Sequence, residues 1–230
     1  MNKCIKCLII SILLGLILIG IISLYFFFRT EKFFKEPRGL PHYDKRYFTH
    51  KHSRKQIQDK LRIMFCVLMK FLESYKIKCW LGFGTLLGYY RDKDIIPWDD
   101  DIDVNIMYGD LFILPTKRSM NGYIWEVNPY SRPYKHDGRN SVSARLICIK
   151  TGIFIDVFSN YIDKGKVIDS ENNKWDVKDV FPIIKTSFLG CETYIPNNIK
   201  QVLIDYYGDI SIPRDKIKEY AEYKASKNSM

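Results

Sequence analysis

Beyond one stretch near its N-terminus, the chain has no apolar run long enough to span a bilayer a second time. It has no Asn-x-Ser/Thr sequon, so glycosylation gives no clue to its placement relative to a membrane. Cys-x-x-Cys spacing is missing from the folded part, which argues against a zinc site there. No internal repeat is visible. Acid is also scarce, with 26 Asp and Glu against 36 Lys and Arg, for a formal net charge of +10. Yet within Ile95-Ile96-Pro97-Trp98-Asp99-Asp100-Asp101-Ile102-Asp103-Val104-Asn105-Ile106, four of five central positions are aspartate, flanked by apolar residues.

The 230 residues suffice for one domain with a real core, and the 47% hydrophobic content is that of a folded chain. Leu8 to Phe28 is a charge-free run rich in Leu and Ile. As a helix it would be about 31 Å long, matching the hydrocarbon core of a bilayer. A cleaved signal peptide would have a shorter apolar region and a small-residue cleavage site, whereas this run ends in Tyr25-Phe26-Phe27-Phe28-Arg29. The sequence therefore predicts a tail at 1–7, a membrane anchor at 8–28, a basic, aromatic stalk at 29–52 and a folded domain at 53–230. Lys3 and Lys6 before the span and Arg29, Lys32 and Lys35 after it leave the orientation open on charge alone. Cys4 and Cys7 at the membrane edge suit either palmitoylation or free thiols. Cys66, Cys79, Cys148 and Cys191 are equally compatible with buried thiols and with one or two disulfides.

Ile57, Leu61, Met64, Phe65, Leu68, Met69 and Leu72 recur at helical steps, with Ser53 as N-cap and an end near Tyr75. Cys79 to Thr85 reads as a short strand entering a Gly-rich turn, followed by a brief helix over Leu86 to Tyr90. Asp101 to Ile106 alternates acid with aliphatic residues and predicts a strand. Tyr123 to Val127 is a weaker strand. Ala144 to Ile149 and Ile153 to Phe158 form a hairpin through Lys150-Thr151-Gly152. Asn197 to Tyr207 predicts a helix stopped by Gly208. Residues after Pro213 read as a peripheral helix or a loose tail.

On a strand, Asp99, Asp101 and Asp103 share one face and Asp100 points away. Clustered carboxylates raise one another's pKa, and a buried unpaired charge is costly. A divalent cation relieves both penalties, and oxygen-only ligands favour Mg²⁺ or Mn²⁺. A solvated acidic turn paired with Lys93 or Arg91 is the plainer alternative. A calcium loop fails, because its sixth position would be Val104 and its twelfth Asp110. An isoprenoid-synthase diphosphate motif needs a helix and a second acidic motif, and Pro97 disfavours that helix. The Gly84-Thr85 turn supplies backbone N–H groups able to hold phosphate. Asp156, inside the apolar Ile153 to Phe158 strand, adds a third carboxylate that needs a partner. Arg145 reads either as a strand-edge charge or as positive charge facing an anionic donor.

Trp80-Leu81-Gly82-Phe83-Gly84-Thr85-Leu86-Leu87-Gly88-Tyr89-Tyr90-Arg91 through Pro97-Trp98-Asp99-Asp100-Asp101-Ile102-Asp103 closely resembles the LicD family, which includes bacterial phosphocholine transferases and the fukutin proteins of animals. Thr151 to Phe158 resembles that family's second motif. Pro196-Asn197, Tyr207-Gly208-Asp209 and Pro213 resemble its C-terminal signature. Tyr89-Tyr90 is bulkier than the family pattern, and the segment between the acidic strand and the hairpin is short.

The resemblance implies an α+β nucleotidyltransferase-like fold, a mixed sheet with flanking helices. It also implies transfer of a phospho-alcohol from a CDP-linked donor to a glycan hydroxyl. Read together, motif and residues make Asp101, Asp103 and Asp156 the metal-binding and catalytic residues, Asp156 as ligand or base. Gly84, Thr85 and Arg91 would bind substrate. The expected partners are the CDP-linked donor, a glycan acceptor and, through residues 8–28, a lipid bilayer, with no nucleic acid. The expected placement is a single-pass protein, type II, in the Golgi or endoplasmic reticulum with the catalytic domain lumenal. Two rivals remain. A Golgi-type glycosyltransferase would use Asp101-Ile102-Asp103, but only about 50 residues precede that motif in the folded part, where about 100 are needed. A membrane-anchored scaffold without catalysis is the other.

Overall fold

The computed structural model describes the backbone at residues 3–30, 32–133 and 138–210, and side chains at 10–24 and through the two later segments. The first element, α1 (Lys3–Thr30), carries the apolar run. Its described side chains are exposed, Ile10 and Leu24 each at 56%. Among the described residues, no helix is long and apolar enough to cross a membrane.

The next helix, α2 (Arg54–Ser74), follows the sequence reading closely. Ser53 accepts from the Gln56 N–H, and the Gln56 side chain reaches back to the Ser53 N–H, a reciprocal cap that fixes the first turn. Leu61, Met64, Phe65 and Leu68 on its apolar face are fully buried. They lie against the sheet, which supplies most of this helix's stability.

The chain then forms β1 (Trp80–Leu81), α3 (Phe83–Arg91) and β2 (Asp103–Met107). A meander follows, β3 (Lys117–Met120), β4 (Tyr123–Val127), β5 (Ala144–Cys148) and β6 (Phe154–Asp163). A side hairpin, β7 (Lys166–Asp169) and β8 (Lys174–Asp176), leads to the short α4 (Val177–Val180). The chain closes with β9 (Ile184–Phe188), β10 (Cys191–Ile195) and α5 (Ile199–Tyr207). The strands make a single ten-stranded mixed sheet, ordered β3-β4-β5-β6-β2-β1-β10-β9, with β7 paired to β6. The mixed α+β architecture is that expected, but the strands after Asp163 carry no clean alternation and were not foreseen. The final helix is as expected, capped by Asn198 and stopped at Gly208, whose φ of 77° suits glycine. The predicted element after Pro213 lies outside the described residues.

Two differences matter for the site. First, β2 begins at Asp103, not Asp101, so strand alternation does not govern Asp99 to Asp101. Second, the segment read as a stalk is, from Lys32 on, laid along the sheet. Phe34, Tyr43 and Asp44 are buried, at 2%, 3% and 0% exposure. Tyr43 bridges to Ile153, and the Asp44 N–H donates to the Gly152 carbonyl at 2.7 Å. A Cβ on Gly152 would stand 2.9 Å from the Asp44 carbonyl, so the hairpin glycine is needed for this docking as well as for its φ of 77°. We refer to residues 32–48 as the strap.

Cys66 on α2 and Cys191 on β10 form a disulfide, with Cα atoms 5.5 Å apart. Cys79 and Cys148 are free and buried. Burial pushes the Cys79 thiol up to about 12, well out of the reactive range.

Candidate active site

Strand pairing assembles the acids. In the parallel register of β2 and β6, Asp103 lies beside Asp156, so residues 53 positions apart become neighbours. The segment entering β2 is fixed by Gln58 of α2, whose amide donates to the Asp99 carbonyl at 2.7 Å and to the Ile96 carbonyl at 3.1 Å. Ile102 and Val104, both 0% exposed, pull the acids inward from either side.

The N-terminus of α3 abuts this cluster. The Asp103 N–H donates to Thr85 Oγ1 at 2.9 Å, tying the first turn of α3 to the start of β2. A Cβ on Gly84 would stand 2.9 Å from Asp99 Oδ2 and 3.9 Å from the Tyr207 hydroxyl, so the glycine lets a carboxylate approach the helix end. Phe83, which opens α3, holds a left-handed φ of 44°. That conformation costs a bulky residue about 1–3 kcal/mol. Edge-to-face contacts with Phe158 and Tyr206, each at 4.9 Å, hold it there. A Cβ on Gly82 would meet the buried Asn105 amide, which would have to shift to admit it.

The electrostatics are those of crowded, desolvated carboxylates. Burial, then the neighbouring Asp101 charge, pushes Asp99 up to about 8. Burial likewise pushes Asp101 up to about 6, with Asp156 and Asp100 adding to the rise. Asp103 is raised well above the ordinary carboxylate range by burial, then by Asp101 and Asp156. Among the described residues, no Lys or Arg pairs with Asp99, Asp101 or Asp103, so the solvated turn paired with Lys93 or Arg91 is not formed. Nor, among the described residues, do three His, Cys, Asp or Glu side chains stand as a ready metal cage. The donor set still suits a hard cation: its oxygens are clustered with no Lys or Arg among the described residues to offset them, and Mg²⁺ is commonly held by one or two carboxylates together with substrate phosphates.

Asp156 differs from its neighbours. Arg145 grips both of its oxygens, Nε to Oδ1 at 2.5 Å and Nη2 to Oδ2 at 3.2 Å. Arg145 is only 2% exposed, lies on a central strand, and also donates to Glu36 Oε1 at 2.8 Å. Its guanidinium rests over the Phe154 and Phe34 rings, at 3.5 and 4.8 Å. It is therefore not a strand-edge charge: its Nε and Nη2 are committed to Asp156 and Glu36 inside the protein, while its buried Nη1 has no hydrogen-bond partner. Arg91 is also displaced. It sits about 10 Å along α3 from Gly84. There it pairs with Asp92 at 3.1 Å and lies over the Trp98 ring at 5.5 Å.

Sequence reasoning missed the strap's contribution. His42 Nε2 lies 3.2 Å from Asp100 Oδ1, and His42 Nδ1 lies 3.5 Å from Asp101 Oδ2. Asp100 thus shares an imidazole with Asp101 and does not point away, because neither residue is on the strand. No spacing signal announces His42 or Glu36, since both lie in an aperiodic segment.

The site can be set beside known proteins. Residues 76–198 match the family model described as LicD/FKTN/FKRP, nucleotidyltransferase domain. A 147-residue stretch is 30% identical to mannosyltransferase regulator 4 of Saccharomyces cerevisiae, covering 57% of this chain and 12% of that protein. Over 32 residues, 14% of this chain and 12% of its relative, the identity to the lipopolysaccharide cholinephosphotransferase LicD of Haemophilus influenzae reaches 66%. Human ribitol 5-phosphate transferase FKRP is 36% identical over 63 residues, 24% of this chain and 13% of that protein. The matches thus span roughly an eighth of each of these three relatives. With its acids, its glycine turn and its paired strands all inside the matched domain, the chain belongs to the LicD/FKTN/FKRP family.

Proposed function

We propose that the protein transfers a phospho-alcohol, such as phosphocholine or a polyol phosphate, from a CDP-linked donor to a glycan hydroxyl, with Mg²⁺ or Mn²⁺ as cofactor. The observation that carries this reading is the crowded cluster of Asp99, Asp101 and Asp103, without a Lys or Arg partner among the described residues, against the N-terminus of α3. Two relatives named as phosphate-group transferases support it. Asp101 and Asp103 would hold the cation. Bound there, the cation neutralises charge on the donor diphosphate.

The chain's own groups supply the rest. N–H groups of Gly84 and Thr85, in the first turn of α3, face donor phosphate oxygens. Asp156 serves as a further ligand or takes the acceptor hydroxyl's proton, and Arg145 fixes its orientation through two hydrogen bonds. Each Asp156 oxygen keeps a lone pair for that task. Arg91 adds positive potential from the far end of α3. In this reading residues 8–28 anchor the protein, and the domain faces the lumen of the Golgi or endoplasmic reticulum, where glycan acceptors and disulfide-forming conditions coincide. The apolar side chains exposed along α1 and the Cys66–Cys191 bond support that placement.

The test is a panel of CDP-alcohols incubated with purified protein and Mn²⁺, with CMP release as readout. Release from at least one donor, lost on chelation, is expected. Silence across the panel, with no stabilisation by CDP or CTP, favours a second reading: a regulator of other glycan-modifying enzymes. The yeast relative is named as a regulator of a mannosyltransferase.

A further inference from the structure

Two side chains of the strap end on the acidic site from outside the family domain. Glu36 closes a chain of contacts through Arg145 to Asp156. His42 places one ring nitrogen against each of Asp100 and Asp101. Neither contact is casual. The strap is pinned beside them by Tyr43, Asp44 and Phe34, all buried, and Asp44 is itself held by the Arg46 Nε and Nη2 groups at 3.0 and 2.9 Å. Asp101 otherwise sits at the end of an irregular segment, before β2 gives its backbone a ladder partner. A carboxylate on such a segment has several rotamers available, and fixing one of them requires a neighbour. The imidazole is the described neighbour that spans Asp100 and Asp101 together.

We propose that His42 is a positioning residue of the active site. It orients Asp101 toward the cation, and the strap exists in part to deliver it. The domain matched by the family model, residues 76–198, is then incomplete without a segment that starts 44 residues before it at Lys32. This deepens the proposed function and rests on it.

The experiment uses the full chain and measures Mn²⁺ affinity by water-proton relaxation, with no donor present, beside CMP release and melting temperature. His42→Ala should weaken Mn²⁺ binding about tenfold or more, the scale usual for partners that orient a metal ligand. It should cut kcat comparably, leaving KM for the donor and the melting temperature near wild type. His42→Gln, which keeps a polar group at that reach, should recover part of the Mn²⁺ affinity. Glu36→Gln, which loosens the strap beside Arg145, should weaken Mn²⁺ binding in the same direction. Wild-type Mn²⁺ affinity in His42→Ala overturns the inference, as does a loss that appears only together with a lowered melting temperature. A wild-type protein that takes up Mn²⁺ but turns over no donor overturns the transferase reading and leaves His42's role standing. A wild-type protein that takes up no Mn²⁺ overturns both.

Discussion

Asp101, Asp103 and Asp156 occupy different electrostatic situations, and the difference separates the effects of mutating them. Asp101 and Asp103 sit among other carboxylates with no Lys or Arg partner among the described residues, so changing either to Asn relieves repulsion. Asp101→Asn and Asp103→Asn should each lower CMP release by at least about a hundredfold, on the scale seen when a preorganised charge-stabilising group is removed. Their melting temperatures should be at or above wild type, which calorimetry checks. Asp156→Asn should instead lower the melting temperature, because it withdraws the main counter-charge from a buried arginine. Breaking such a pair costs about 3–5 kcal/mol. Full activity in Asp101→Asn or Asp103→Asn would sink the metal assignment. At this scale the acids were legible because apolar neighbours flank them. Arg145's role was not, because its second partner lies 109 residues away.

The helices and central strands were readable wherever hydrophobic period and a stop signal coincide. In α2 the Ser53 cap, the apolar stripe and the end at Tyr75 agree with the sequence to within a residue. β9 and β10 were not readable, because they mix Lys, Thr, Ser and Glu with apolar residues that do not track burial, Ile184 being exposed and Thr193 buried. Their place in the sheet is enforced from outside, in part by the bond between Cys66 on α2 and Cys191 on β10. That bond closes a loop of 125 residues in sequence separation. Reducing it should therefore destabilise the domain by about 2–4 kcal/mol. The check is a pair of melting curves, with and without reductant, beside peptide mapping after alkylation. Mapping should find Cys66 and Cys191 linked and Cys79 unmodified until the protein unfolds. Free Cys66 in native, unreduced protein would refute the pairing.

For the whole molecule, the least legible feature was the relation between the N-terminal segment and the domain. A basic, aperiodic stretch reads as linker, yet Phe34, Tyr43 and Asp44 are as buried as core residues. Burial of that kind depends on partners across the sheet, such as Ile153 and Gly152, which no local pattern reveals. The proposed orientation has a direct check. In sealed microsomes a C-terminal tag should survive protease until detergent is added, and a tag digested without detergent would refute the lumenal placement. The same geometry bears on what happens if the chain is cut. Thr49, His50 and Lys51 are exposed between the strap and α2, and the disulfide loop from Cys66 to Cys191 lies wholly on one side of them. Cleavage at that point, once the strap has dissociated, would leave a domain that keeps its covalent ring and Asp101, Asp103 and Asp156 but loses His42. Such a form should bind Mn²⁺ less tightly than the full chain, and a synthetic peptide of residues 32–48 should restore the affinity in trans.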